Sequence, residues 1–232
     1  MLWNVYKGKK SAWQKDFSRL HVLYDLLLLQ EAKLQLRGEW PETYDRGYHW
    51  VFGESFALAR CGSSCGVLTG SRAQVDSAFN RHGPIREPLL KTPKSAVFTY
   101  YPIEGFACSL LIVNAHLINF RRTQAFCLHL EQITTVIANH RGPVLFAGDF
   151  NTWSPTRTAN LLTAMQRVGL FQVELSNERR RLLRLDYIFT RQIEVREALL
   201  LHDIKSSDHL PLSLWFRLRL PREVSGQTPP ET

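Results

Sequence analysis

The chain's 232 residues, 44% hydrophobic and 22% charged, can bury a sizeable core, and no stretch of about eighteen is continuously apolar, which excludes a helical membrane span. Cys61, Cys65, Cys108 and Cys127 are too few for a disulfide framework, and Cys61-Gly62-Ser63-Ser64-Cys65 lacks the second pair that a zinc site needs. With no export signal at its start, the chain is expected to be cytoplasmic. The excess of 29 Lys and Arg over 21 Asp and Glu, formally +8, favours a phosphate-rich partner, either nucleic acid or an anionic lipid surface.

Leu2 to Tyr6 alternates and is rich in β-favouring residues, which predicts a first strand carrying Asn4. Gly8-Lys9-Lys10-Ser11 fails as a phosphate loop, because Trp3 stands where the earlier glycine is required. Trp13, Phe17 and Leu20 share one helical face, and Leu26 to Leu29 predicts a buried strand ending at Gln30-Glu31. From Ala32 to Pro93 only short strands around His49 to Phe52 and Gly66 to Thr69 are legible. Lys94 to Ile103 and Ala107 to Val113 predict a hairpin that turns at Pro102 to Gly105 and delivers Asn114-Ala115-His116. Arg122 to His140 aligns Phe126, Leu130, Ile133 and Ile137 on one face, a helix stopped by Gly142-Pro143.

Val144-Leu145-Phe146 predicts a central buried strand running into Ala147-Gly148-Asp149-Phe150-Asn151, where Asp149 and Asn151, two apart, project from one face. Ser154-Pro155 predicts the start of another helix, with Leu161, Met165 and Val168 as its apolar face and Gly169 at its exit. Leu185 to Thr190 and Leu212 to Leu218 complete the strands. The expected organisation is a single domain over residues 1–220 and a disordered tail over 221–232.

The polar residues at these strand edges are Asn4, Glu31, His116, Asn119, Asp149, Asn151, Asp186, Asp208 and His209. Any one of them has an ordinary structural reading as a turn former or a satisfied histidine. Together they are acids, amides and imidazoles without a paired Ser or Cys nucleophile, a mixture that suits one hard cation and a water aimed at phosphorus. Three basic clusters adjoin the same segments: Lys7, Lys9 and Lys10; Arg121 and Arg122; and Arg179 to Arg181 with Arg184. They read either as solvated loops or as the flanks of a cleft that tracks a polyphosphate backbone.

Five blocks in order, Trp3-Asn4-Val5, Gln30-Glu31, Asn114-Ala115-His116, Gly148-Asp149-Phe150-Asn151 with Leu185-Asp186-Tyr187-Ile188-Phe189, and Ser207-Asp208-His209-Leu210-Pro211, resemble the endonuclease/exonuclease/phosphatase superfamily. That superfamily includes pancreatic deoxyribonuclease, abasic-site endonucleases, neutral sphingomyelinases and inositol polyphosphate 5-phosphatases, and the chain looks most like a small bacterial branch of it. The resemblance implies an α+β fold, a four-layer α/β/β/α sandwich with two packed sheets flanked by helices. It also implies a Mg2+-dependent phosphodiester hydrolase, with Mn2+ as a substitute, acting on nucleic acid. The rivals are a sphingomyelinase-like lipid phosphodiesterase and an inactive binding module of the same fold. The stretch from Glu39 to Phe56, with the aromatics Trp40, Tyr44, Tyr48, Trp50 and Phe56, keeps the lipid reading open.

In that resemblance Glu31 is the main metal ligand, Asn4 stands beside it and Asp208 supports the metal through water. Asp149 orients or deprotonates the attacking water, and Asn151 holds that water or a phosphate oxygen. His209, paired with Asp186, meets the phosphate, and His116 lies near the leaving group. Asn119, Lys94 and Arg122 are the expected substrate-binding side chains. Tyr6 replaces an acid carried by several abasic-site endonucleases, which argues against a second metal ligand from the first strand. Arg184-Leu185-Asp186-Tyr187-Ile188 replaces the Trp-Cys-Asp-Arg block of the 5-phosphatases, which argues against inositol phosphates.

Overall fold

The protein's structure, a computed structural model, describes residues 1–35, 47–58, 62–88, 91–178 and 184–219. Two sheets of six strands form its centre. The first contains β1 (Leu2–Asn4), β2 (Leu26–Gln35), β3 (His49–Leu58), β4 (Ser63–Ser71), β11 (Ile193–Leu200) and β12 (Leu212–Leu218), in the order β11-β12-β1-β2-β4-β3. The second contains β5 (Ser77–His82), β6 (Ser95–Pro102), β7 (Ser109–His116), β8 (Val144–Asp149), β9 (Phe171–Gln172) and β10 (Asp186–Arg191), in the order β5-β6-β7-β8-β10-β9.

Strand alternation divides the apolar side chains among three cores. Leu2, Leu28, Ile112, Leu145, Ala147 and Ile188 meet between the sheets. Their neighbours Phe98, Val113, Phe146 and Phe189 face outward onto Phe126, Ile133, Leu161 and Met165 of helices α2 (Thr123–Asn139) and α3 (Pro155–Arg167). On the other side Trp3, Leu27, Leu29 and Leu68 pack against Phe17 and Leu20 of α1 (Trp13–Leu20). The result is the expected four-layer sandwich. Ser154 caps α3 by accepting from the Arg157 amide, with Pro155 in the first turn, as that dipeptide requires.

Two strand ends differ from the sequence reading, and both differences shape the site. β1 stops at Asn4 instead of Tyr6, because the Asn4 side-chain oxygen accepts from the Tyr6 amide (3.1 Å) and Tyr6, Lys7 and Gly8 turn through positive φ. β2 does not end at Gln30-Glu31. It runs on to Gln35 through a bulge at Glu31 (φ 51°), where its register against β4 shifts between Leu29 and Ala32. β5, β9 and β11 have no clear sequence signal: β5 is exposed along its length, β9 is two residues long, and a bulge between Val195 and Glu197 breaks the alternation of β11. The tail expected over 221–232 lies outside the described residues.

On the inner face of α2, His129 is 1% exposed and neither ring nitrogen has a hydrogen-bond partner. Its ring packs against Gly83, where an added Cβ would come within 2.8 Å. Burial first, then the charges of Lys94 and His82, lower its pKa to about 4. A histidine depressed in the folded state takes up its proton in the unfolded chain first, so the stability it permits is present above about pH 6.5 and is lost as the pH falls toward 4. His129→Leu is expected to retain about 1–3 kcal/mol more of its neutral-pH stability at pH 4 than wild type does. Urea midpoints at the two pH values check this, and parallel losses would contradict it.

Candidate active site

The two sheets bring the polar residues to one end of the sandwich by register. β7 runs parallel to β8 with His116 opposite Asp149, and β10 runs antiparallel to β8 with Asp186 opposite the same Asp149. Three chemically active side chains thus share one row at the edge of the second sheet. The first sheet presents Asn4, paired in register with Gln30, and Glu31 in the bulge just beyond. A fully buried amide pair locks the sheets beneath: Gln30 Nε2 donates to Asn114 Oδ1 (2.6 Å), and Asn114 Nδ2 donates to the Leu29 and Leu68 carbonyls. The last motif is tied to β1, since the Trp3 indole donates to the His209 carbonyl (3.1 Å) and Ser207 Oγ to the Asn4 carbonyl (2.6 Å). Trp3, Gln30, Asn114 and Ser207 are therefore in the motifs as braces.

Asp149 is the hub. Its Oδ2 accepts from Asn4 Nδ2 (3.0 Å) and lies 3.5 Å from His116 Nε2 and 3.8 Å from His209 Nε2, while Oδ1 accepts from the Asn151 amide (3.1 Å). Burial first, then the Asp186 charge, raise its pKa to about 7. His209 Nδ1 is 2.8 Å from Asp186 Oδ2. Burial alone would lower the His209 pKa, but Asp186, through charge and hydrogen bond, and then Asp149 and Asp208 carry it up to about 10, so the ring is an imidazolium between carboxylates. His116 is the opposite case. Burial, reinforced by Lys94, pushes its pKa well down, and the neutral ring's Nε2 accepts from Lys94 Nζ (3.0 Å).

Asn151 reaches the site by a different route from the one its spacing suggested. β8 ends at Asp149, and Asn151 adopts φ 51°, off the strand, with its side-chain amide held by the Leu117 carbonyl (3.0 Å) and the Trp153 indole (3.0 Å). Asn4, Glu31, Lys94, His116, Asn119, Asp149, Asn151, Asp208 and His209 line one cavity of about 300 Å³. Asp186 stands behind His209. Arg122 does not join them: it is the exposed residue at the start of α2 and is not part of the cavity lining.

Two groups of side chains could hold a divalent cation. One ligand atom each from Asp149, Asp186 and His209 lies within 4.8 Å of the others, and there the His209 ring would have to release a proton before it could take a metal. The oxygens of Glu31, Asn4 and Asp208, hard donors of the kind a Mg2+-like ion takes, line the same cavity. The Glu31 carboxylate faces a cation in this structure, the Lys7 ammonium at 2.7 Å. The bulge at Glu31 and the turn at Lys7 thus bring a half-buried lysine against this carboxylate.

Sequence reasoning missed Glu87, Arg157 and Trp153. Glu87 (6% exposed) accepts from the amides of Asn119 (2.8 Å) and Phe120 (3.1 Å). Arg157 (5% exposed) donates to the carbonyls of Ile118, Asn119, Arg121 and Asn151. Their only local signal was a charged residue at a buried helical position, Arg157 in the first turn of α3. The basic clusters are redistributed as well. Lys10 bonds to the Lys205 and Ser207 carbonyls, Lys9 lies over the Tyr6 ring, and Arg184 pairs with Glu178 (3.1 Å). Arg179 to Arg181 and Cys61 lie outside the described residues. Of the lysine and arginine side chains among the described residues, Lys7 and Lys94 line the cavity. Cys65, Cys108 and Cys127 are free, and burial pushes the Cys65 thiol up to about 11.

The facing strand ends of this two-sheet sandwich thus converge on a cavity of acids, amides and imidazoles. The chain belongs to the endonuclease/exonuclease/phosphatase family, whose model matches residues 1–209. Members of this family are hydrolases of phosphoester bonds and generally use a divalent metal. Among curated relatives, a UPF0294 protein of Vibrio campbellii is 34% identical over 223 residues, 94% of this chain and 77% of that one. Among solved structures, an endonuclease/exonuclease/phosphatase of Beutenbergia cavernae superposes with a TM-score of 0.72 at 19% identity, over 94% of this chain and 70% of that one. The mannosyl-6-phosphatase Bt3783 of Bacteroides thetaiotaomicron gives 0.69 at 13% identity, over 94% and 98%. These last two likenesses are of fold. No helix among the described residues is long and apolar enough to cross a membrane.

Proposed function

We propose that the protein is a divalent-metal-dependent phosphodiesterase that cleaves nucleic acid. The observation that carries the reading is the row His116, Asp149 and Asp186 with the His209 imidazolium held between two of its members. Asp149, with a pKa of about 7, has the strength of a general base at neutral pH and would take the proton of a water entering the cavity that it lines with Asn151. His209, fixed by Asp186, keeps a proton on Nε2 and donates it as a hydrogen bond to a phosphoryl oxygen as negative charge builds there. Lys94 adds positive charge on the leaving-group side and holds His116 neutral. Glu31 and Asn4, supported by Asp208, would hold the metal. When bound, the metal supplies further charge stabilisation to the phosphoryl oxygens.

Nucleic acid is favoured over lipid by a second cavity of about 430 Å³ that adjoins the first through Lys7 and is lined by the exposed Lys33, by Ser11 and Ser63, and by Lys10, whose ammonium keeps its charge while held by two carbonyls. A polyanion passing the scissile phosphate meets further cations there, which a lone lipid headgroup does not need. Of the aromatic stretch that kept lipid open, Tyr48 is buried, Trp50 packs with the α1 core and Phe56 lines the active-site cavity, while Trp40 and Tyr44 lie outside the described residues. With Asp149→Asn to prevent turnover, affinity for a short oligonucleotide is expected to fall steeply with salt, and Lys33→Ala should reduce the slope by about one. A flat salt response with firm binding to sphingomyelin vesicles would move the reading to lipid.

A further inference from the structure

Nine large apolar side chains are exposed among the described residues, and two of them, Phe120 (70% exposed) and Trp153 (48%), line the active-site cavity. An exposed ring on a loose loop needs no explanation. These two are on backbone that is held unusually firmly. Both carboxylate oxygens of buried Glu87 accept amides of the Phe120 segment, and the buried Arg157 guanidinium donates to three carbonyls of that segment and to the Asn151 carbonyl in the Trp153 segment. The Trp153 ring is itself anchored by its bond to Asn151 Oδ1 (3.0 Å). Burying a carboxylate and a guanidinium is costly, and here both charges fix the backbone that carries two outward-facing rings.

We infer that Phe120 and Trp153 form a stacking platform for an unpaired nucleobase next to the scissile phosphate, so that the preferred substrate is single-stranded. This rests on the nucleic-acid reading above. The occupant must present a flat apolar face within one monomer's length of a phosphate, which a nucleotide does. The bases of a duplex have both faces covered by their neighbours and cannot offer one. A lipid's flexible chains call for a continuous apolar surface, whereas these rings, with Phe56 and Pro88, share the cavity with Asn119, Asn151 and Glu87. The lysine-lined second cavity then receives an adjacent phosphate of the same strand.

Fluorescence anisotropy with the Asp149→Asn protein tests this, using labelled strands of equal length and phosphate number: oligothymidine, an abasic tetrahydrofuran strand, and a blunt duplex. Oligothymidine is expected to bind about tenfold or more tighter than the abasic strand. Adding Phe120→Ala should erase that difference without changing abasic affinity, and Phe120→Trp should keep it. Phe120 is exposed, so these variants should melt with the parent. Equal binding of base-bearing and abasic strands, both salt-dependent, overturns the platform and leaves the nucleic-acid reading standing. Failure of every strand to bind overturns both. A loss confined to sphingomyelin vesicles in Phe120→Ala assigns the rings to lipid instead.

Discussion

Asp149→Asn is expected to lower kcat by about 10²–10⁴-fold while the melting temperature does not fall. The carboxylate is the group in the row best placed to take a proton from water, since Asp186 is committed to His209 Nδ1, His209 already carries a proton and His116 faces the Lys94 ammonium. Asparagine keeps the shape and can still accept the Asn151 amide, but it cannot act as a base. Stability should hold because the native state carries an unfavourable charge there: burial and the Asp186 repulsion lift the Asp149 pKa to about 7. A carboxyl raised in the folded state destabilises the fold above its pKa, and removing the charge offsets the hydrogen bond lost from Asn4. If activity survived, the base would be elsewhere. A collapse of the melting temperature along with activity would make Asp149 a structural residue.

The second large effect belongs to Asp186 and His209. His209→Ala should cost about 10²–10³-fold in turnover, the usual loss of one strong donor to a developing oxyanion. Asp186→Asn should cost nearly as much, because Asp186 fixes the ring through Nδ1 at 2.8 Å and is the foremost cause of its raised pKa after burial is overcome. The double variant should be no worse than the poorer single one, the signature of two groups acting as a unit. Losses that add independently would dissolve the pair.

What was legible in the sequence was what repeats or terminates cleanly. The central strand into Asp149, the α2 face and the Ser154-Pro155 cap were all readable, because burial imposes alternation on strands and a 3.6-residue period on helices. The joint order of the motif blocks singled out residues most of which line one cavity, although the geometry there was not readable. Asn151 shares the cavity with Asp149 through a left-handed residue and two long-range hydrogen bonds, which strand spacing cannot forecast. Glu31 looked like the end of a strand because a bulge interrupts the pattern there. The basic clusters misled for an electrostatic reason: sequence records which cations are near a motif, but not which are already paired, as Lys10 is with carbonyls and Arg184 with Glu178. Arg157 and Glu87 were invisible because their partners are backbone groups over thirty residues away for most of their bonds.

The central claim is that this cavity hydrolyses phosphodiester bonds in nucleic acid with a divalent cation bound at Glu31. The most direct measurement is the cleavage rate of a single-stranded oligonucleotide by the purified protein as Mg2+ is titrated, with a chelator control, in wild type and Glu31→Gln. The account predicts metal-dependent cleavage that the chelator stops, with half-saturation in Glu31→Gln moved to a Mg2+ concentration about tenfold or more higher. Cleavage that is indifferent to chelator and unchanged by Glu31→Gln, or none while sphingomyelin is turned over under the same conditions, would contradict it.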